Sequence, residues 1–315
     1  MEVVFLGTGG AIPTEGRKHP AIVVAHQGWN FLLDCGEYAQ MQLERAGIGF
    51  NKNMVVLVTH LHADHVLGLP GVLLRLSLLG RTRPLMVYGP PGLIEYVRVC
   101  QATINLGTRF ESTVYGIGAG PVLDIEDVHI RSFEVDHRGY ALGYSVTRRR
   151  SRGRFLPERA TELGVPMGPL WRQLSLGETV TLDSGKTVRP EDVTLEAGLG
   201  TKIVYSGDTR PCDTLRDASR DADLLISEAM YTSEHEHLAH ERGHMTAAQA
   251  ASIAAEARVK CLVLTHFSPR YDSVQGAPIL EEAREIFPNT LLAHDLMRIK
   301  VHDGRACESL SAQSR

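Results

Sequence analysis

No window of this 315-residue chain approaches the roughly 20 consecutive apolar residues that a membrane-spanning helix needs. No basic stretch followed by an apolar core opens it; Met1-Glu-Val-Val-Phe-Leu6 enters a strand pattern at once, unlike a secretory signal. Cysteine is scarce: Cys35, Cys100, Cys212, Cys261 and Cys307 are odd in number, scattered, and never arranged as C-x-x-C. A disulfide framework and a cysteine zinc site are therefore not expected, and reduced thiols in a cytoplasmic protein with no membrane partner are. Positive charge is not in excess either, with 33 Lys and Arg against 37 Asp and Glu for a net charge of −4. Such a chain has no general attraction to nucleic acid, so any polyanion must be held by local basic patches.

Hydrophobic residues make up 43 % and charged residues 22 %, the balance of an ordinary globular protein with a sizeable core. Strand and helix signals alternate. Val3–Leu6, Ala21–Ala25, Phe31–Asp34, Met54–Thr59 and Leu85–Tyr88 read as apolar strands, with helices at Ala39–Ala46, Val72–Leu79 and Pro91–Ile104. Strands return at Val122–Val135, Tyr140–Thr147, Lys202–Ser206, Asp223–Ser227 and Cys261–Thr265, interleaved with helices near Thr246–Ala257 and Pro278–Ile286. The order predicts sheets covered by helices in one α/β domain over 1–315, with no linker to split it. One stretch departs from it. Between about 148 and 200 the chain is rich in Arg, Gly and Pro with weak periodicity, from Arg148-Arg-Arg-Ser-Arg-Gly-Arg154 through Leu163-Gly-Val-Pro-Met-Gly-Pro-Leu-Trp171. It reads either as a solvated surface insertion or as an arm that touches a polyanion.

The richest chemistry lies in His60-Leu-His-Ala-Asp-His65, directly after the apolar run Met54-Val-Val-Leu-Val-Thr59. Neutral imidazole nitrogens and carboxylate oxygens are the donors that Zn²⁺ and similar divalent ions accept. Four of them within six residues, on a loop where a buried strand ends, leave room for two metals. The nearby His235, His237 and His240 read instead as a solvated surface segment.

H-x-H-x-D-H after an apolar strand resembles the signature of the metallo-β-lactamase superfamily. That resemblance implies a four-layer αβ/βα sandwich with metals at one edge of two facing sheets and further ligands at strand ends. His137 in Glu134-Val-Asp-His137, Asp208 in Val204-Tyr-Ser-Gly-Asp-Thr209 and His266 in Leu262-Val-Leu-Thr-His-Phe267 fit those places in order. Within the superfamily, several details resemble ribonuclease Z, the endonuclease family that trims the 3′ end of precursor tRNA. Phe5-Leu-Gly-Thr-Gly-Gly10 with Pro13 resembles its glycine loop, and Tyr205-Ser-Gly-Asp-Thr-Arg-Pro211 its aspartate motif. Thr265-His-Phe-Ser-Pro-Arg-Tyr271 resembles its last histidine motif, and Gly243-His-Met-Thr246 its catalytic histidine motif. The Gly/Pro stretch at Gly164–Pro169 resembles the protruding arm with which that family holds the tRNA elbow. In two places the chain departs from the family pattern. Glu15 and Lys18 stand where Lys and Asn are common, with Arg17 retained, and Ser227 stands where His often precedes Glu228.

Carried onto this chain, the resemblance implies that His60, His62 and His137 hold one metal ion and Asp64, His65 and His266 a second, with Asp208 bridging. The ions, most naturally Zn²⁺, would activate water and offset charge on the phosphate oxygens. Asp64 would orient the nucleophile or take its proton, and His244, oriented by Glu228, would protonate the departing 3′ oxygen. The products would be a tRNA ending in 3′-OH and a trailer with a 5′-phosphate. Arg17, Lys18, Arg148, Arg149, Arg150, Arg152, Arg154 and Arg270 are the expected RNA contacts, and a homodimer is the implied assembly. Two other readings stand beside this one. The first is a hydrolase of a small substrate such as a lactone, thioester or cyclic phosphodiester, which would need neither the arginine run nor the arm. The second is an RNA-binding protein without catalysis, which would have no need of all seven ligands.

Overall fold

The computed structural model describes residues 1–149, 155–194, 199–302 and 308–310. By its internal contacts the chain forms two compact units: Met1–Leu123 with Ile130–Val146 and Lys202–Arg315, and a smaller one of Asp124–His129 with Thr147–Thr201.

The strands, in chain order, are β1 (Glu2–Gly7), β2 (Ala21–His26), β3 (Trp29–Leu33), β4 (Asn53–Leu57), β5 (Leu85–Gly89), β6 (Ser112–Gly116), β7 (Gly120–Ile125), β8 (Val128–His137) and β9 (Gly139–Arg149). They continue with β10 (Val180–Thr181), β11 (Thr187–Val188), β12 (Leu199–Tyr205), β13 (Leu224–Glu228), β14 (Leu262–Thr265), β15 (Thr290–Leu292), β16 (Arg298–Lys300) and β17 (Glu308–Leu310). One sheet has the order β17-β16-β1-β2-β3-β4-β5-β6 and the other β15-β14-β13-β12-β9-β8-β7.

Side chains of a strand alternate between faces, so the two faces of each sheet can be followed separately. Val4, Leu6, Leu32, Met54 and Val56 pack against the helices Ala39–Arg45, Gly68–Leu78 and Gly92–Thr103. In the second sheet Val204, Leu225, Leu262 and Leu264 pack against Asp213–Ser219, Ala247–Glu256 and Ala277–Ile286. The residues between them, including Val3, Phe5, Phe31, Leu33, Leu224, Ile226 and Val263, are just as buried, so the inner faces cover one another. Two sheets with helices outside is the predicted sandwich.

β3 through β6 run parallel, as do β12 through β15. Parallel strands end on the same edge, and that edge is where an open α/β sheet places its loops for chemistry. The helix Asp213–Ser219, the helix Glu236–Arg242 and the strands β6, β15 and β16 were not anticipated. β6 has no fully buried residue, β15 and β16 have three residues each, and the two helices bury only Leu215 with Ser219 and Ala239, so none shows a clear apolar pattern.

The smaller unit differs from the weakly periodic arm that the sequence suggested. Short helices at Pro157–Glu162, Pro169–Ser175 and Pro190–Val193 and the hairpin β10–β11 enclose a core of Ala160, Val165, Leu174, Val180, Val188 and Val193. Trp171 joins this core, with its indole N–H donating to the Val165 carbonyl at 3.0 Å. Its apolar residues come from elements of two to seven residues, so no periodicity accumulates along the chain.

Candidate metal centre

Each predicted ligand stands at a strand end of the larger unit. Beyond β4 the chain runs through Val58 and Thr59 to His60, and His62 precedes the short helix Ala63–Val66 that carries Asp64 and His65. His137 is the last residue of β8, Asp208 lies three residues beyond β12, and His266 directly follows β14. His266 has φ +59°, a left-handed conformation uncommon outside glycine, and its amide donates to the Thr8 carbonyl at 3.0 Å.

Two clusters result. His60 Nε2 and His137 Nε2 each lie 3.0 Å from His62 Nδ1. In the second, Asp208 Oδ2 is 3.2 Å from His65 Nε2 and 3.4 Å from His266 Nε2. Asp64 Oδ2 lies 3.6 Å from His65 Nε2 and 3.4 Å from His266 Nε2. Asp208 Oδ2 is also 3.8 Å from His60 Nε2, so this carboxylate touches both groups.

Surrounding bonds decide which nitrogen each ring offers. Thr59 Oγ1 meets His60 Nδ1 at 2.9 Å, and the Gly243 carbonyl meets His137 Nδ1 at 2.7 Å, so both rings turn Nε2 inward. Asp34, fully buried, does the same for His65 across 2.7 Å, and also accepts from the Thr59 amide and the Tyr205 hydroxyl. Sequence reasoning passed over Asp34. Its signal was a carboxylate ending the apolar run Phe31-Leu-Leu33.

The donor set suits divalent cations. Burial holds His60, His62 and His137 below their ordinary value, leaving neutral lone pairs. Burial acts against the charge on His65, but Asp208, Asp34 and Asp64 outweigh it and hold the ring's proton well above the ordinary value. Asp64 and Asp208 are in turn held below the carboxylate range despite their burial, by His65 and His266. The same carboxylates that favour the charged form of His65 would favour a cation. Asp208 Oδ1 and His65 Nε2 are buried without a hydrogen bond of good geometry, which fits atoms whose partner would be a cation.

A third arrangement adjoins these. His244 Nδ1 lies 2.9 Å from Glu228 Oε1 and 4.0 Å from Asp208 Oδ2. Glu228, the last residue of β13, also accepts the amides of Thr209, Met230 and Met245. Burial disfavours the imidazolium, yet Glu228 carries the His244 pKa up to about 9.

A family model described as "Beta-lactamase superfamily domain" matches residues 172–267, and one described as "Anti-Pycsar protein Apyc1" matches residues 1–98. Ribonuclease Z of Methanosarcina acetivorans is 41 % identical over 302 residues, 96 % of this chain and 98 % of that one. Ribonuclease Z of Gemmatimonas aurantiaca is 43 % identical over 304 residues, 95 % of each chain. This chain belongs to the ribonuclease Z family. The crystal structure of the short form of human tRNase Z is also similar, with TM-score 0.69 and 27 % identity over 96 % of this chain and 99 % of that one. The fold is that of the metallo-β-lactamase superfamily.

The basic residues expected at RNA are distributed unevenly. Arg17 turns inward: its Nη1 donates to Thr8 Oγ1 and the Ala293 carbonyl at 2.8 Å each, and its guanidinium covers the Phe267 ring at 4.5 Å. It fixes the glycine loop rather than facing solvent. Lys18 Nζ donates to the carbonyls of Thr14 and Glu15. Arg270 is exposed, its guanidinium 5.3 Å from the centre of the Tyr231 ring. Arg148 is half-buried and Arg149 exposed at the end of β9, whereas Arg150, Arg152 and Arg154 lie outside the described residues. His237 and His240 are exposed on the helix Glu236–Arg242, and no metal-binding group among the described residues includes them or His235.

Proposed function

We propose that this chain is a metal-dependent endoribonuclease that removes the 3′ trailer from precursor tRNA. The observation that carries this is the coincidence of two donor clusters sharing Asp208 with a His244–Glu228 pair beside them, in a chain of the ribonuclease Z family.

In this reading His60, His62 and His137 hold one ion and Asp64, His65 and His266 the other, with Asp208 between them. We assign Zn²⁺ to both, a metal that imidazole and carboxylate donors suit. Two such ions supply Lewis acidity, lowering the pKa of water and offsetting charge on the phosphate oxygens. Asp64, ionised at neutral pH, orients the attacking water and can take its proton. His244, with Nδ1 engaged by Glu228, has Nε2 left to protonate the departing 3′ oxygen, and its raised pKa keeps it charged for that task. Glu228 positions the ring and stabilises its charge; three backbone amides hold the carboxylate in place.

The smaller unit, with the arginines at its start, is assigned to binding the tRNA body away from the cut, together with Lys18 and Arg270. A homodimer is part of the same reading. The helices Ala39–Arg45 and Gly68–Leu78 leave Met41, Leu74 and Leu78 exposed by 46, 45 and 68 %, an apolar surface suited to a second copy. No disulfide joins the described cysteines, which suits a reducing compartment such as the cytoplasm.

The test is incubation of zinc-loaded protein with precursor tRNA bearing a 3′ trailer, with the cut and both new ends mapped. A tRNA 3′-OH and a trailer 5′-phosphate are expected. Failure to cut, or a 2′,3′-cyclic phosphate end, would overturn the reading.

A further inference from the structure

Beside the first donor cluster opens a cleft with His60 and His62 in its wall, whose other lining residues none of these roles uses. It has a volume of about 470 Å³ and lies between His60–His62, the turn Pro90-Pro91-Gly92 beyond β5, and Arg138-Gly139-Tyr140 at the turn from β8 to β9. That volume falls in the ~300–1,000 Å³ range of small-ligand sites. Its apolar walls include Leu61 and Tyr140, left 38 and 45 % exposed, and the two prolines.

The Tyr140 hydroxyl donates to Glu134 Oε1 at 3.1 Å, which tethers the ring at its far end. Among the described residues the ring stacks on no other, and the exposed Arg138 side chain makes no hydrogen bond or ion pair. A tethered aromatic ring facing apolar side chains, with an unengaged guanidinium, is the chemistry that holds a nucleobase by stacking and a phosphate by charge. The position beside His60 and His62 selects which nucleotide. His244 serves the departing 3′ oxygen, so the tRNA's last nucleotide belongs on the His244 side, and His244 does not line this cleft.

We propose that the cleft holds the first nucleotide of the trailer, its base against Tyr140 and its backbone reaching Arg138. The proposal rests on the tRNA-processing reading, and its test separates the two. Zinc-loaded full-length chain is given two precursor tRNAs, identical except that one is abasic at the first trailer position. For the unmodified chain, kcat/KM should be lower on the abasic precursor by roughly 5- to 150-fold, the range for losing one stacked base. In Tyr140→Ala the two precursors should be cut equally fast, at the slower rate, whereas Tyr140→Phe, which keeps the ring, should retain most of the difference. Arg138→Gln should lower kcat/KM on both and flatten its salt dependence. If Tyr140→Ala preserves the preference for the base-bearing precursor, the cleft does not hold that base. If the unmodified chain cuts neither precursor, the tRNA reading itself has failed, and the assignment of the trailer nucleotide fails with it.

Discussion

The carbonyl of Gly243 lies 2.7 Å from Nδ1 of His137, so the residue that precedes His244 also sets the orientation of a histidine in the first donor cluster. Gly243 has φ +82°, and a Cβ there would lie 2.9 Å from that same nitrogen. Gly243→Ala should therefore tilt His137 and move His244 together. We expect metal affinity and turnover each to fall roughly 10- to 100-fold, the usual cost of disturbing an orienting partner of a ligand. Unchanged zinc affinity in this variant, measured by competition with a chelator, would show that the Gly243–His137 bond does not support the site.

Metal analysis of the purified protein should find close to two ions per chain. Asp208→Ala should lower that content and abolish hydrolysis, because its carboxylate touches both clusters. His62→Ala should reduce the content less, since His62 belongs to one cluster only. An Asp208→Ala protein with full activity would remove the two-metal reading.

His244 yields a prediction with a defined sign. Its pKa is raised to about 9, so the protonated, donating form prevails at neutral pH and is lost as pH rises through that value. Turnover should fall on the alkaline side, with the limb no higher than about 9, because cations beside Asp208 oppose the imidazolium. His244→Ala should keep its metals, lose roughly 10²–10⁴ in turnover, and show no such limb. Glu228→Gln should shift the limb downward, as the neutral amide no longer favours the charged ring. Loss of metal in His244→Ala would reassign the residue to ligation.

Replacing Leu156–Leu195 by a short Gly/Ser bridge removes most of the smaller unit, which has its own core. Precursor-tRNA binding should weaken and its salt dependence should flatten, as fewer phosphates are neutralised. Hydrolysis of bis(p-nitrophenyl) phosphate should barely change. Binding and cleavage of precursor tRNA at the original level would show that this unit does not hold the substrate.

Much of the site was legible before any fold was known. Four donors in His60–His65 stand together at the end of an apolar run, so residue type and position alone pointed to metal ligation, while His137, Asp208 and His266 were picked out by the places that the metallo-β-lactamase resemblance implies for further ligands. The alternating apolar segments likewise indicated sheets covered by helices. Tertiary structure decided what depends on long-range approach. Asp34 reaches His65 across 31 positions and Gly243 reaches His137 across 106, and neither pairing leaves a mark in local pattern. The inward turn of Arg17 and the folded core within 147–201 escaped for the same reason. Periodicity reports which face of a segment is apolar; it carries no record of which distant backbone atom that segment will meet.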